Sequence, residues 1–221
     1  MKNKNSQYLL SAITLQKNKR KVNIFLNGQY AFSLSLLDLQ KQGLKQGIYL
    51  DEADIARLKN LANFDLLYQK ALGLLALRPR SAAEIEFSLK RYAQKKTITE
   101  DVDKIKRAVL LKLEKKNYLN DKEFAAWWIR QRQTQTISGA IKLRYELLQK
   151  GIDRKIIDAV LAENIDSQEN CKIQTILAKK LKIWAGLPYF KKRKKCLDFL
   201  LRRGFNYGQA KEAVDQYCKK D

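Results

Sequence analysis

Leu147-Leu148-Gln149-Lys150-Gly151-Ile152 reads against Leu200-Leu201-Arg202-Arg203-Gly204-Phe205 at an offset of 53 residues. In each copy a leucine pair leads to a basic residue, a glycine and an apolar residue. That order suits a helix stop, in which glycine adopts the left-handed conformation and the apolar residue folds back onto the helix. Each copy continues with a capping residue, Asp153 or Asn206, and a short helix containing Ala-Val. A recurring helix–stop–cap–helix pattern decides the fold class. Units of about fifty residues built this way bury their apolar stripes partly against their neighbours.

The helical period extends in both directions from these stops. Leu67, Ala71, Leu74 and Leu75 form one stripe. Ser81 and Glu84 form a capping box ahead of Ile85, Leu89 and Tyr92. Thr99 opens a helix with Val102, Ile105, Val109 and Leu113 on its apolar face, and Phe124, Trp127, Trp128 and Ile129 carry the next. Ile141, Tyr145 and Leu148 lead to Gly151; Ile156, Ile157, Val160 and Leu161 follow Asp153. Ile173, Ile176, Leu177, Leu181 and Trp184 precede Pro188, which suits a first helical turn and introduces Phe190, Leu197, Leu200 and Leu201. Ala210, Ala213, Val214 and Tyr217 close the chain. These nine helices divide into three-helix units at 66–117, 118–167 and 168–221. In the first unit Leu89-Lys90-Arg91 stands in the place of the stop, without a glycine.

Residues 1–65 read differently. Ile13-Thr14-Leu15, Val22-Asn23-Ile24-Phe25-Leu26 and Tyr30-Ala31-Phe32-Ser33-Leu34 are strand-like, with a hairpin at Asn27-Gly28. A two-residue turn sets Phe25 opposite Tyr30. Keeping Val22, Ile24 and Leu26 on one face with Tyr30, Phe32 and Leu34 needs a three-residue loop instead, and both registers stay open. Helical segments near 35–42 and 51–64 follow, the second started by Asp51. The expected architecture is mainly α: three tandem three-helix units in an elongated, curved array, with a small β-hairpin-containing appendage at the N-terminus.

Composition limits the function. The 221 residues hold 45 Lys and Arg against 23 Asp and Glu, a net charge of +22, and no histidine. Without imidazole there is no Ser-His-Asp or Cys-His nucleophile pair and no histidine general base or metal ligand. The three cysteines, Cys171, Cys196 and Cys218, are spaced unlike a thiolate zinc site and fit a reducing cytoplasm. No stretch approaches the ~20 apolar residues of a membrane span. The charge is unevenly placed: +5 in 1–65, +7 in 66–120, +1 in 121–168 and +9 in 169–221. Two basic regions flanking a nearly neutral one point to a polyanionic or acidic partner.

The tight carboxylate groups are Glu84 with Glu86, and Glu100 with Asp101 and Asp103. Both fall in expected first helical turns, where the helix dipole favours negative charge without any chemistry. A Mg²⁺-dependent nuclease built on them is the weaker alternative. Phosphate-cradling glycine motifs and the Gly-x-Ser-x-Gly elbow do not occur. No enzyme, no catalytic residue, no metal site and no cofactor is expected.

Binding residues are sought among the cations. The run Lys191-Lys192-Arg193-Lys194-Lys195 is the densest charge in the chain, but five consecutive helical residues point in every direction. It reads either as a solvated face or as a source of long-range attraction to phosphates or an acidic surface. Arginine offers a planar fork for phosphate or carboxylate, which singles out Arg78, Arg80, Arg91, Arg130, Arg132, Arg144, Arg202 and Arg203. Lys90 and Lys150, beside the helix stops, join this candidate set. Trp127, Trp128 and Trp184 suit base stacking, yet at helical spacing with aliphatics they fit a core better.

Four segments carry a family resemblance. Arg78-Pro79-Arg80-Ser81-Ala82-Ala83-Glu84-Ile85 and Asn117-Tyr118-Leu119-Asn120-Asp121-Lys122-Glu123-Phe124-Ala125 are followed in order by the 147–152 and 200–205 stops. Together they resemble the signature of RecX regulatory proteins, and Ile13 to Lys59 resembles the N-terminal extension of some bacterial members. The resemblance implies a cytoplasmic modulator of the RecA recombinase. It implies tandem three-helix repeats lodged in the groove of the RecA–DNA filament, restraining strand exchange, ATP turnover and the co-protease activity behind the SOS response. It further implies single- or double-stranded DNA as a partner, met directly or through RecA. A basic helical-repeat protein that binds DNA or RNA without a recombinase is the competing expectation.

Overall fold

The computed structural model describes residues 7–17, 19–98, 101–164 and 169–218. Their elements run β1 (Tyr8–Leu15), β2 (Lys21–Leu26), β3 (Gln29–Ser35), α1 (Leu36–Lys41), β4 (Tyr49–Leu50) and α2 (Glu52–Leu77), then α3 (Ala82–Lys95) and α4 (Val102–Lys115). There follow α5 (Asp121–Gln135), α6 (Ala140–Gln149), α7 (Arg154–Asn164), α8 (Glu169–Ile183), α9 (Tyr189–Arg202) and α10 (Tyr207–Tyr217). The mainly helical class with a small N-terminal sheet is as expected. By internal packing the chain forms two compact units: Met1–Arg78 with Ile85–Tyr118, and Pro79–Glu84 with Leu119–Asp221.

In the first unit the strands form an antiparallel sheet of order β3-β2-β1-β4. Asn27 and Gly28 both take positive φ, 49° and 81°, as a two-residue hairpin turn whose twist matches its strands requires. Phe25 therefore stands opposite Tyr30. The register then shifts at Ala31, so that Ile24 pairs with Phe32 and Val22 with Leu34. This bulge reconciles the two registers left open by the sequence. It buries Val22, Ile24, Leu26, Phe32 and Leu34 together and turns Tyr30 outward, 59% exposed.

Asp51 caps α2 by accepting the Asp54 N–H at 2.7 Å. The helix then runs unbroken through residue 65, where the sequence suggested the end of one segment and the start of another. No proline or glycine interrupts 52–72, so nothing in the local chemistry stops it. Its first half packs Ile55, Leu58 and Ala62 against the sheet, and its second half buries Leu67, Tyr68 and Ala71. Helix α4 opens behind Asp101 and packs on α2; the cap expected at Thr99 lies outside the described residues.

The first unit has a helix stop after all, six residues beyond Arg91. Ile98 donates to the Ala93 carbonyl and Thr97 to Gln94, both at 3.0 Å, with Thr97 at φ 53°. Ala93–Ile98 is thus the counterpart of 147–152 and 200–205, and Leu89-Lys90-Arg91 is interior helix. Threonine in a left-handed position hid the stop, because a β-branched residue rarely adopts it.

In the second unit, α5–α7 close over Phe124, Ala125, Ile129, Leu143, Leu147, Ile157 and Val160. Helices α8–α10 close over Ile173, Leu177, Cys196, Leu200, Phe205, Ala210 and Val214. Gly151 and Gly204 hold φ 74° and 83° at the two stops, and Ile152 and Phe205 donate back to Leu147 and Leu200 at 3.1 and 3.2 Å. Pro188 occupies the N-cap of α9 rather than its first turn, and Asn206 completes a capping box with Gln209.

The stops are also docking places. Gly139 and Ile141, at the start of α6, donate to the carbonyls of Arg203 and Gly204 at 2.9 and 3.0 Å. Ser81, at the start of α3, donates its hydroxyl to the Lys150 carbonyl at 2.7 Å while accepting the Glu84 N–H at 3.1 Å. In both places the opening turn of one unit's second helix supplies the donors that a helix end leaves wanting.

Candidate functional site

Several expected contact residues are committed inside the protein. Glu146, on α6, accepts from the Trp128 indole at 2.9 Å and from Arg132 Nε at 2.8 Å. The Arg132 guanidinium lies 4.7 Å from the Trp128 ring centroid and Lys150 Nζ 4.9 Å from it. Lys150 also donates to Glu84 Oε1 at 2.6 Å, which gives the Glu84 carboxylate a structural partner. Trp127 and Trp128 pack on Phe124, and Trp184 on Phe199, so all three indoles serve cores. Arg144 pairs with Asp158. Arg193 leaves the 191–195 run to hold Asp215 at 2.7 Å, and Arg203 covers the Phe199 ring. Arg78 and Arg80 are half-buried and, like Lys192, hold interactions within the chain.

Of the carboxylates singled out by the sequence, Glu100 lies outside the described residues and the others have partners within the chain. Asp103 and Glu86 both meet Lys106, at 2.8 and 3.4 Å, and Asp101 accepts from Asn60. Lys106 is only 3% exposed. Burial works to lower its pKa, but the hydrogen bond and charge of Asp103 and the charge of Glu86 outweigh it and hold the ammonium above its usual value. The hydrogen bond from Lys106 keeps Asp103 below the ordinary carboxylate range. Asp121 is raised by burial, partly offset by the Ala82 N–H that it accepts at 2.9 Å. Among the described residues no three His, Cys, Asp or Glu side chains converge on a metal-sized site.

The remaining candidates face solvent. In the second unit these are Arg130, Lys191, Lys194, Lys195 and Arg202. Lys191, Lys194, Lys195 and Arg202 recur at helical spacing along one side of α9, interrupted by Asp198. In the first unit Lys90 and Arg91 are exposed on α3.

Arg91 belongs to a feature that the sequence did not single out. Lys70 and Leu74 of α2 and Phe87, Ser88, Arg91, Tyr92 and Lys95 of α3 line a groove of about 500 Å³. The Arg91 guanidinium carbon lies 5.9 Å from the Phe87 centroid, and Lys70 and Lys96 Nζ lie 5.4 and 5.9 Å from the Tyr92 centroid. Phe87 is 63% exposed. The signal was present as Phe87-x-x-x-Arg91, an aromatic and a cation on one helical face, but Lys70 joins them only through tertiary packing.

Residues 9–51 match the model of the regulatory protein RecX N-terminal domain, 120–161 the second RecX three-helix domain and 168–214 the third. "Regulatory protein RecX" of Clostridium botulinum (strain Eklund 17B / Type B) is 31% identical, over 91% of this chain and 92% of its own length. That of Bacillus cytotoxicus is 29% identical, over 90% of this chain and 73% of its own length. A crystal structure of regulatory protein RecX superposes with a TM-score of 0.74 at 25% identity, covering 94% of this chain and 99% of that one. With a relative 31% identical over 91% of this chain and 92% of its own length, and three RecX domain models matched in order, the chain belongs to the RecX family of regulatory proteins.

Proposed function

We propose that this protein regulates a RecA recombinase by binding the RecA–DNA filament, and that its usual effect is to restrain strand exchange, ATP turnover and co-protease activity. Family membership over both the N-terminal domain and the three-helix domains carries this reading. The net charge of +22 supports it, because a basic surface is steered toward a polyanionic filament. Exposed Lys90, Arg91, Arg130, Lys191, Lys194, Lys195 and Arg202 are the side chains free to meet recombinase or DNA in this scheme. The three-helix divisions at 66–117, 118–167 and 168–221 are taken as its repeating units. A regulator that binds across subunits lowers ATP turnover by restricting their relative movement, with no catalytic residue of its own. The reading places it in the cytoplasm; no helix among the described residues is long and apolar enough to cross a membrane.

The test is RecA's DNA-dependent ATPase and strand exchange with stoichiometric protein. A fall in both is expected, and unchanged rates sink the reading. The competing function, general nucleic-acid binding without a recombinase, is favoured by the basic charge alone. It predicts equal binding to naked and RecA-coated single strands at matched salt, whereas a filament regulator prefers the coated strand.

A further inference from the structure

We infer that the groove between α2 and α3 is a seat for single-stranded nucleic acid, with Lys70, Arg91 and Lys95 on its phosphates and Phe87 stacked on an unpaired base. The inference rests on the groove alone and holds whether or not the protein regulates a recombinase.

Charge complementarity is the first argument. The groove is lined by three cations and no carboxylate. Among the described residues Lys70, Arg91 and Lys95 form no ion pair, unlike Arg132, Arg144 and Arg193. The nearby Glu86 is occupied by Lys106. A cation whose charge is not neutralised by a carboxylate keeps its attraction for an external anion.

The aromatic geometry selects the kind of polyanion. Tyr92 lies beside Lys70 and Lys96, whereas Phe87 has Arg91 as its one charged ring neighbour among the described residues and is 63% exposed. Phe87 is therefore largely open to solvent. Arg91, whose guanidinium carbon lies 5.9 Å from the Phe87 centroid, is exposed and offers a planar fork for a phosphate beside the ring. Cations flanking an open aromatic face are what single-strand binding uses, because every unpaired base offers a flat surface to stack. A duplex hides its base faces and leaves Phe87 unused. An acidic peptide helix needs three or four apolar anchor sites. Here Leu74 and Phe87 supply the apolar lining. The volume of about 500 Å³ is within the range of roughly 300–1,000 Å³ usual for ligand clefts.

Full-length protein titrated into a 5′-fluorescein-labelled oligothymidylate, followed by anisotropy, tests the assignment. Phe87→Ala should weaken binding roughly 5- to 150-fold, the range seen when a stacking aromatic is removed. Phe87→Trp should retain affinity, and its added fluorescence should be quenched as the base stacks. Arg91→Ala should reduce the slope of log affinity against log salt by about 0.7, one single-strand phosphate contact. Lys115→Ala, which removes an exposed charge from α4, should do neither. If Phe87→Ala binds the oligonucleotide as the parent does, the assignment is overturned. It is equally overturned if Phe87→Ala loses recombinase capture while keeping oligonucleotide affinity, since the groove then docks a protein. Failure of the regulatory reading is seen separately, as unchanged RecA ATPase with intact Phe87-dependent oligonucleotide binding.

Discussion

A β-carbon on Gly139 would lie 2.4 Å from the carbonyl oxygen of Gly204. Gly139 needs no glycine for its own conformation, since φ is −76°. It is there because the Arg203-Gly204 stop of α9 closes on the opening of α6.

Gly139→Ala should therefore destabilise the protein by about 1–3 kcal/mol, the usual cost of forcing an extra carbon into a packed contact. Gly204→Ala should cost more, adding a left-handed φ of 83° to a clash with Lys142. Gly73 lies within α2 with open space around its Cα, so Gly73→Ala should stabilise by about 0.5–1 kcal/mol. Urea denaturation followed by circular dichroism distinguishes the signs.

Thr97 holds φ 53° at the first stop, where its counterparts are glycines. Thr97→Gly should raise stability by about 1 kcal/mol, because relief of a left-handed β-branched residue exceeds the entropy that glycine adds. An unchanged or lower urea midpoint contradicts this account of the stop.

The Lys106–Asp103 pair predicts a pH dependence. Asp103 is held below its unfolded value of 3.8, so its contribution is present above that pH and lost as pH falls through the folded value. Lys106 is held above 10.5, so its contribution is present below that pH and lost as pH rises through the folded value. The pair is at full strength between the two. The stability of Lys106→Met relative to the parent should be flat from pH 5 to 9 and should shift in the variant's favour on acidification below 3.8. Urea midpoints of both proteins across that range measure the difference.

Cys196 and Cys218 are buried with their Sγ atoms 3.5 Å apart. Burial, reinforced by the hydrogen bond shared with Cys218, pushes the Cys196 thiol up to about 12. At pH 8 almost no Cys196 thiolate is present and both thiols are buried, so neither residue should react with an aromatic disulfide reagent in the native state. Both should react promptly in denaturant, with mass spectrometry identifying the modified cysteines.

Much of this was legible in the chain, for identifiable reasons. The 53-residue offset exposed both glycine stops, because only a left-handed residue followed by an apolar one ends a helix that way. The apolar stripes located all nine helices from α2 onward, and Asn27-Gly28 marked its hairpin. Thr97 escaped notice, since its residue type argues against the conformation that packing imposes. The bulge at Ala31 escaped too: it settles a competition between turn geometry and burial that neither settles alone. Arg132, Arg144, Lys150 and Arg193 looked like outward cations because their carboxylate partners are 14 to 66 residues away.

The sequence by itself determined the helical repeat, the N-terminal sheet and the surplus of positive charge, since periodicity, stop chemistry and composition are local or additive properties. Only the tertiary structure decided which cations remain available and where aromatic rings stay open. Lys70 and Phe87 come from different helices, as do Arg132 and Glu146. Whether a charge is spent on a neighbour or left for a partner depends on packing, and no residue carries that in its own type.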